Sequence, residues 1–255
     1  MRLDSLFDLN RRVAVITGGS SGIGKAIAHA LGSQGAKFVL MARRLAELDV
    51  ACAGMHRDGI EATGIAVDLA ERDALKLACT EAARPYGALD ILVNCAGINI
   101  RRPFPDLTDA DWDATMAINL AAPFFVTRAL APAMKAQRWG RIIDIASLQS
   151  VRAFNNSGSY GASKGAVIQL TRTTAEYWSA YGVTCNAIAP GFFATPLTAI
   201  LFNDAAEAQK SADATMVGRN GELSDLYGAA IFLASTASAY VTGQTIFVDG
   251  GFSAT

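Results

Sequence analysis

A tyrosine and a lysine four residues apart could carry proton-transfer chemistry in this chain. Tyr160 and Lys164 lie at the start of a stretch with the composition of a long helix. Positions i and i+4 share one face of a helix, so the phenol and the ammonium group can converge. A phenol has an ordinary pKa of about 10, which a positive charge about 4 Å away should lower toward neutrality. We therefore expect Tyr160 to exchange a proton near neutral pH.

A serine upstream of this pair could bind the oxygen that receives the proton. Ser147 follows the apolar run Arg141–Ile145 and precedes Tyr160 by 13 residues. Its hydroxyl can hold a carbonyl or alcohol oxygen beside Tyr160 without acting as a nucleophile. A serine hydrolase would need a histidine base, and the only histidines, His29 and His56, fall in the first two predicted helices. Acyl transfer is therefore disfavoured.

A glycine-rich turn near the N-terminus could hold a diphosphate. It follows the first β-rich run directly and opens a predicted helix over Lys25–Ser33. Glycine lets the backbone approach a ligand closely, and the free N–H groups at a helix start attract negative charge. The spacing is GxxxGxG and not GxGxxG, and a turn that only reverses the chain is the alternative. Its place between strand and helix favours a nucleotide. The expected contacts are Gly18, Ser20, Ser21, Gly22, Ile23 and Gly24.

Two arginines at the end of the second predicted strand bear on the choice of nucleotide. Arg43 and Arg44 stand where an NAD-binding fold usually carries an acid for the ribose hydroxyl. A guanidinium group pairs well with phosphate oxygens, so we predict a preference for NADP over NAD. The alternative is that both arginines begin an exposed helix and that NAD also serves.

Two further strand ends add candidate cofactor contacts. Asp68 and Leu69 follow the third predicted strand, where Asp68 could accept a bond from an adenine amino group or instead cap a helix. Asn94, Ala96 and Gly97 follow the fourth, and small residues there permit close approach of a ligand to the backbone.

Seven short β-rich runs that alternate with longer helical stretches must position these residues. Such alternation is typical of a parallel sheet with helices on both faces, and the runs are nearly continuous in apolar residues, as such strands are. We predict a single α/β domain over residues 1–255, a doubly wound parallel sheet of Rossmann type. The runs are Val13–Ile16, Phe38–Met41, Gly64–Val67, Leu89–Val93, Arg141–Ile145, Val183–Ile188 and Thr245–Val248.

Composition excludes several classes of protein. The chain has 255 residues, of which 51% are hydrophobic, and a formal net charge of -1. Disorder and a strongly basic nucleic-acid binder are therefore disfavoured. The first eight residues include two acids, and no long unbroken apolar run occurs, so we expect neither a signal peptide nor a membrane span. Four scattered cysteines and two histidines predict no metal site and a cytoplasmic, reducing location.

Taken together, the motifs resemble the short-chain dehydrogenase/reductase family. They occur in family order and at family spacing across almost the whole chain. The resemblance implies a Rossmann-type fold, a nicotinamide cofactor, and hydride transfer to or from a carbon that bears oxygen. The matching residues are Thr17-Gly18-x-x-x-Gly22-x-Gly24, Asn94-x-Ala96-Gly97, Asn119, Ser147, Tyr160-x-x-x-Lys164 and Pro190-Gly191.

The resemblance also implies individual roles. The catalytic set would be Ser147, Tyr160, Lys164 and Asn119, with Asn119 holding a water that links Lys164 to solvent. Lys164 would bind the nicotinamide ribose. The nicotinamide end would be contacted by Pro190, Gly191, Phe193 and Thr195, the last at the carboxamide.

A homotetramer is a further implication of the resemblance. The stretches 109–137 and 159–181 are long and apolar on more than one face, as helices covered by another subunit would be. A core helix within one subunit is the alternative. No other protein partner is indicated.

Several segments are similar to gluconate 5-dehydrogenases and related sugar-acid dehydrogenases. They are Ala96-Gly97-Ile98 followed by Arg101, and the stretches 146–150, 191–195 and 247–251. A guanidinium group at Arg101 would suit a carboxylate-bearing substrate, although Arg101 could equally lie on a solvated loop. The candidate hydroxyl partners are Gln149, Arg152 and Asn155.

The chain also departs from that subgroup. Val151 and Phe154 replace polar or charged residues, and Pro196 replaces an acid. With Phe154, Phe192 and Phe193 nearby, the substrate pocket is expected to be more apolar than a gluconate site.

Other functions therefore stay open. One is reduction of a 3-oxoacyl thioester, with Arg101, Arg102 and Arg138 meeting an acidic carrier protein. Others are reduction of a hydrophobic ketone and a redox-silent NADP-binding scaffold, against which the intact catalytic set argues. Residues 192–219 could form a helical substrate lid or an ordinary solvent-facing helix pair.

Overall fold

The computed structural model describes residues 3–254 and contains one parallel sheet of seven strands. This confirms the predicted doubly wound sheet, and every predicted run forms a strand with bounds shifted by at most two residues. The strands are β1 (Val13–Thr17), β2 (Lys37–Ala42), β3 (Ala62–Ala66), β4 (Ile91–Asn94), β5 (Gly140–Ile145), β6 (Val183–Pro190) and β7 (Thr245–Val248).

The helices cover both faces of the sheet. They are α1 (Gly22–Gly32), α2 (Leu45–Arg57), α3 (Arg72–Ala82), α4 (Asp109–Met116), α5 (Ala122–Gln137), α6 (Gly158–Trp178), α7 (Ala199–Phe202), α8 (Ala205–Asp213) and α9 (Tyr227–Ala234). Alternate residues of β1 show the division: Ile16 packs in the core under α1, α2 and α9, and Val15 packs in the core under α3 and α5. Every residue of β1, β4, β5 and β6 is buried, because both faces are covered.

The order of the strands creates the site. Across the sheet the order is β3-β2-β1-β4-β5-β6-β7, so β2 and β3 extend the sheet on one side of β1, and β4 to β7 extend it on the other. A crevice opens between the connections at the carboxyl ends of β1 and β4, where open α/β sheets bind their ligands. Most of the cofactor candidates and Ser147 lie at this edge because they follow a strand, and α6 brings Tyr160 and Lys164 to it.

The predicted stretch 109–137 is not one regular helix. A π-helical segment, Ala117–Ala121, separates α4 from α5. By length and composition this stretch is apolar enough to cross a membrane, but 44% of its most apolar window is buried. Val126, Leu130 and Met134 of α5 lie in the core against the sheet, as in the core helix of a globular domain.

Candidate active site

A cavity of about 760 Å³ occupies the carboxyl edge of the sheet. It brings together most of the residues that the sequence predicts for the site. Those that line it are Gly18, Ser20, Ser21, Gly22, Ile23, Gly24, Arg43, Arg44, Leu69, Ala96, Gly97, Arg101, Ser147, Gln149, Phe154, Asn155, Tyr160, Lys164, Pro190, Gly191, Phe192, Phe193 and Thr195.

The glycine loop at one end of the cavity is built so that larger residues would not fit. Gly18 has a φ of +69°, and a Cβ there would lie 2.9 Å from the Cα of Ala96. A Cβ on Gly24 would collide with the carbonyl oxygen of Gly18. The hydroxyl of Thr17 accepts bonds from the backbone N–H groups of Cys95 and Ala96, at 3.0 and 3.2 Å. The loop is therefore fixed against the end of β4.

The start of α1 fits a diphosphate. Ser21 is the N-cap residue, but its side chain makes no capping hydrogen bond. The N–H groups of the first turn, at Gly22, Ile23 and Gly24, have no partner within the helix and belong to residues that line the cavity. These donors and the helix dipole suit an anion. The residues present thus fit the pyrophosphate of a dinucleotide.

The two arginines after β2 differ in their surroundings. Arg44 is the N-cap residue of α2, and its Nη2 donates to Glu47 Oε2 at 2.7 Å. Arg43 is exposed and forms no ion pair with any residue in the range 3–254. Among the described residues lining the cavity, the single carboxylate is Glu207, on α8. Arg43 is thus the guanidinium available to a 2'-phosphate, a distinction that the sequence does not make.

Two predicted cofactor contacts, Asp68 and Asn94, do not line the cavity of the cofactor-free chain. Asp68 is exposed and does not line the cavity; its Oδ1 accepts a bond from the N–H of Ala70 at 3.0 Å. The alternative that Asp68 caps a helix is also wrong, because the N-cap residue of α3 is Glu71. Asn94 is buried, and its Nδ2 donates to Asp144 Oδ1 at 2.8 Å. The side chain of Asn94 ties β4 to β5 and does not face the cavity.

Ser147 and Tyr160 meet at the reacting end. Ser147 follows β5 and begins a 3₁₀ turn, and its Oγ accepts a bond from the N–H of Gln149 at 3.1 Å. Tyr160 is the third residue of α6 and is 7% exposed. Interaction with the Ser147 hydroxyl lowers the pKa of Tyr160 in part, so the two side chains are close together. An oxygen atom at this edge of the cavity can therefore meet both hydroxyl groups.

The expected fall in the pKa of Tyr160 is wrong for this structure. Burial raises the pKa of Tyr160, and the hydrogen bond from Ser147 and the charge of Arg101 lower it only in part. The Lys164 Nζ lies 5.7 Å from the centre of the tyrosine ring and donates to the carbonyl oxygen of Ile145 at 2.6 Å. Sharing a helix face brings the two residues close, but the ammonium group is directed toward the backbone of β5.

Lys164 itself is strongly affected by burial. It is 4% exposed, and burial lowers the pKa of its ammonium group to about 8, against the opposing influence of Cys95 and Asp144. Asp144 is a buried carboxyl group on β5 that accepts bonds from Asn94 and from Thr171, the latter at 2.8 Å. Burial raises the pKa of Asp144. The sequence signal for Asp144 is a lone charge inside the apolar run Ile142-Ile143-Asp144-Ile145.

Asn119 lies behind the cavity wall, in the π-helical segment. Its Oδ1 accepts the N–H of Ile98 at 2.9 Å, and its Nδ2 donates to the carbonyl oxygen of Ile98 and to Ser163 Oγ. Single π turns inside helices are frequent at functional sites. Asn119 thus fixes the chain after β4 against α6, while its predicted role in holding a water stays a prediction.

The substrate end of the cavity combines charge with aromatic surface. Arg101, Gln149, Phe154 and Phe192 line it, as predicted. Arg152 is exposed and does not, because its guanidinium group lies 5.7 Å from the centre of the Phe252 ring, against that ring's face.

Sequence reasoning missed two residues at this end, Phe252 and Asn99. Phe252 follows β7, whose carboxyl end reaches the same sheet edge, and this signal could have identified it. Asn99 lies between Gly97 and Arg101, both of which the sequence predicts for the site. Its position between them could have identified it.

The segment 192–219 forms one side of the cavity. It contains a 3₁₀ turn, Pro196–Thr198, and the short helices α7 and α8. Leu201 and Lys210 from these helices line the cavity, so the segment is more than a solvent-facing helix pair. The Cβ of Thr195 would lie 3.5 Å from a Cβ added to Gly22. The segment therefore begins directly over the glycine loop.

Comparisons with known proteins place this geometry in context. Residues 18–253 match the family model described as "Enoyl-(Acyl carrier protein) reductase". The gluconate 5-dehydrogenase of Gluconobacter oxydans is 39% identical over 96% of each chain, and the 5-keto-D-gluconate 5-reductase of Escherichia coli K12 is 34% identical over 98% of each. The crystal structure of a gluconate 5-dehydrogenase from Burkholderia cenocepacia, in complex with NADP and tartrate, is 40% identical over 100% of both chains, with a TM-score of 0.95.

Proposed function

The chain belongs to the short-chain dehydrogenase/reductase family, and we propose that it interconverts a secondary alcohol and a ketone of a sugar acid with NADP(H). The observation that carries this proposal is the meeting of Ser147, Tyr160 and Lys164 at one end of a cavity whose other end is the glycine loop. One end suits a dinucleotide and the other suits an oxygen-bearing carbon.

The cofactor, when bound, would supply a hydride as NADPH or accept one as NADP⁺. The glycine loop and the start of α1 would hold its diphosphate, and Arg43 would bind the 2'-phosphate. The NADP complex of the similar Burkholderia cenocepacia enzyme supports this choice of cofactor.

The chain's own residues move the proton and orient the substrate. Ser147 holds the substrate oxygen, and Tyr160 donates a proton to it in reduction or accepts one in oxidation. Because the Tyr160 phenol is buried, it stays protonated in the cofactor-free protein and is ready to act as an acid. Lys164 places a positive charge beside this centre, and Asn119 fixes the surrounding backbone.

A sugar acid is the substrate class that the site supports best. Arg101 lines the cavity, and its charge acts on Tyr160, so a substrate carboxylate could be held while the reacting carbon meets the tyrosine. The similar enzymes named above are a gluconate 5-dehydrogenase and a 5-keto-D-gluconate 5-reductase, which supports this class.

A panel assay tests this proposal. Gluconate, other aldonic acids, polyols, a 3-oxoacyl thioester and hydrophobic ketones are offered with NADP or NADPH, and NADPH absorbance is followed. We expect turnover of aldonic acids or their keto forms above the rest. Turnover confined to thioesters or hydrophobic ketones would contradict it.

The second candidate is a 3-oxoacyl thioester reductase. The description of the matching family model and the aromatic lining of the cavity favour it. The arginines predicted to meet an acidic carrier protein offer less free positive charge than expected. Arg102 forms an ion pair with Asp111 at 2.8 Å. The thioester in the panel decides between the two.

A homotetramer in the cytoplasm completes the proposal. Phe124 on α5 and Tyr177 on α6 are 44% and 56% exposed, which supports the burial of these helices against other subunits. The four cysteines are free thiols, in keeping with a reducing location. Segment 192–219 would close over bound substrate. Light scattering measures the assembly, and a monomer would contradict it.

A further inference from the structure

Two residues that line the cavity each carry a buried amide oxygen that accepts no hydrogen bond from residues 3–254. The two atoms are Asn99 Oδ1 and Gln149 Oε1. Buried polar atoms in folded proteins nearly always have a partner, and leaving one unpaired costs free energy. An amide oxygen can only accept, so its missing partner must be a donor, such as a hydroxyl group of a ligand.

Both residues are fixed close to the reacting centre. The N–H of Gln149 donates to Ser147 Oγ at 3.1 Å. Its Oε1 lies 3.7 Å from where a Cβ on Gly161, the neighbour of Tyr160, would stand. Asn99 follows Ile98, whose backbone is clamped by Asn119 through two bonds of 2.9 Å. Their positions are therefore set by the same elements that hold the catalytic residues.

Three aromatic rings from distant parts of the chain supply an apolar surface in the same cavity. Phe192 and Phe252 have ring centres 5.1 Å apart, and Phe154 lies 6.2 and 5.9 Å from them. We call these three residues the aromatic cluster. Mutual ring packing makes it a rigid surface against which a C–H face can lie.

We propose that Asn99 and Gln149 each bind a hydroxyl group of the substrate, and that the aromatic cluster packs against its C–H face. This rests on the proposed function and deepens it, because it assigns the residues that select a polyhydroxy acid. A hydrophobic ketone would satisfy the cluster but leave both amide oxygens buried and unpaired. A site that hydrogen-bonds a substrate hydroxyl rejects the analogue that lacks it, more strongly than an apolar pocket can.

The test combines variants of the chain with deletions in the substrate. Gluconate and a set of singly deoxygenated gluconates are assayed with NADP, using the wild-type protein, Asn99→Ala and Gln149→Leu. The control is Gln244→Leu, at an exposed position outside the cavity, directly before β7 at the amino edge of the sheet. NADP affinity and melting temperature are measured for each. Within residues 3–254 the side chains of Asn99 and Gln149 make no hydrogen bond that these variants would remove, so both are expected to fold.

We expect each cavity variant to raise the KM for gluconate about five- to tenfold, with kcat changed less. For one deoxy analogue, which lacks the hydroxyl that the replaced residue binds, the KM should not change. The unaffected analogue should be a different compound for each variant, because the two residues bind different hydroxyl groups. Phe252→Leu should instead raise the KM for every compound by about the same factor, roughly threefold, because ring packing does not read single hydroxyl groups.

Equal changes of KM for all deoxy analogues in Asn99→Ala and Gln149→Leu, or no change at all, would overturn this inference alone. Failure of the wild-type protein to turn over any polyhydroxy acid would overturn the proposed function together with it.

Discussion

Replacing Lys164 by methionine should change how the unfolding free energy depends on pH. Burial lowers the pKa of Lys164 to about 8 in the folded, cofactor-free chain, from an ordinary value of 10.5. Between these values the unfolded chain keeps the lysine proton and the folded chain loses it. The unfolded state therefore binds more protons, and stability rises with pH through this window. Below pH 8 the folded protein buries the charged ammonium group, so the unfolding free energy no longer changes with pH through this lysine.

The magnitude follows from the two pKa values. One proton released on folding corresponds to a slope of about 1.4 kcal/mol per pH unit at most. From pH 7 to pH 9 the folded lysine passes through its titration, and the integrated gain in stability is about 1.3 kcal/mol. Lys164→Met has no such proton. The stability of the wild-type protein, relative to that of the variant, should therefore increase by about this amount.

Urea unfolding at fixed protein concentration measures the difference at pH 7, 8 and 9. Subtracting the variant removes the titration of the cysteine thiols, which both proteins share. Lys76→Met, at an exposed position on α3, is the matched control and should track the wild-type protein. A difference between wild type and Lys164→Met that stays constant or falls with pH would refute the argument, since Lys164 would then remain charged when folded.

Three further predictions concern the active site. Tyr160→Phe should lower kcat by about 10²- to 10⁴-fold, and NADP affinity from fluorescence titration should stay unchanged; retained turnover would contradict the role of the phenol. Arg43→Ala should reduce the ratio of NADP to NAD efficiency by about 10- to 100-fold, whereas Arg44→Ala, whose guanidinium group is held by Glu47, should change it less than about threefold. Equal effects of the two arginine variants would contradict that assignment. Gly24→Ala should abolish measurable NADP binding by calorimetry while the protein stays folded by circular dichroism, because the added Cβ collides with the carbonyl oxygen of Gly18; normal binding would show that the loop can adjust.

The local pattern of residues in the sequence was sufficient to predict the sheet and the location of the site. Strands such as β5 and β6 are buried on both faces and so read as apolar runs in the sequence. Parallel strands bring their carboxyl ends to one edge, and this places Gly18, Ser147 and Tyr160 around one cavity. The i and i+4 spacing likewise predicts that Tyr160 and Lys164 are neighbours.

The sequence by itself determined which residues reach the carboxyl edge of the sheet, because strand periodicity and helix spacing are local properties of the chain. Only the tertiary structure decided what those residues do there. Whether the pKa of Tyr160 rises or falls depends on burial by the whole fold. That Asn94 faces Asp144, or that Phe252 reaches Phe154, depends on contacts between segments distant in the chain. Spacing along a chain carries no information on such contacts, since they are set by how the layers pack.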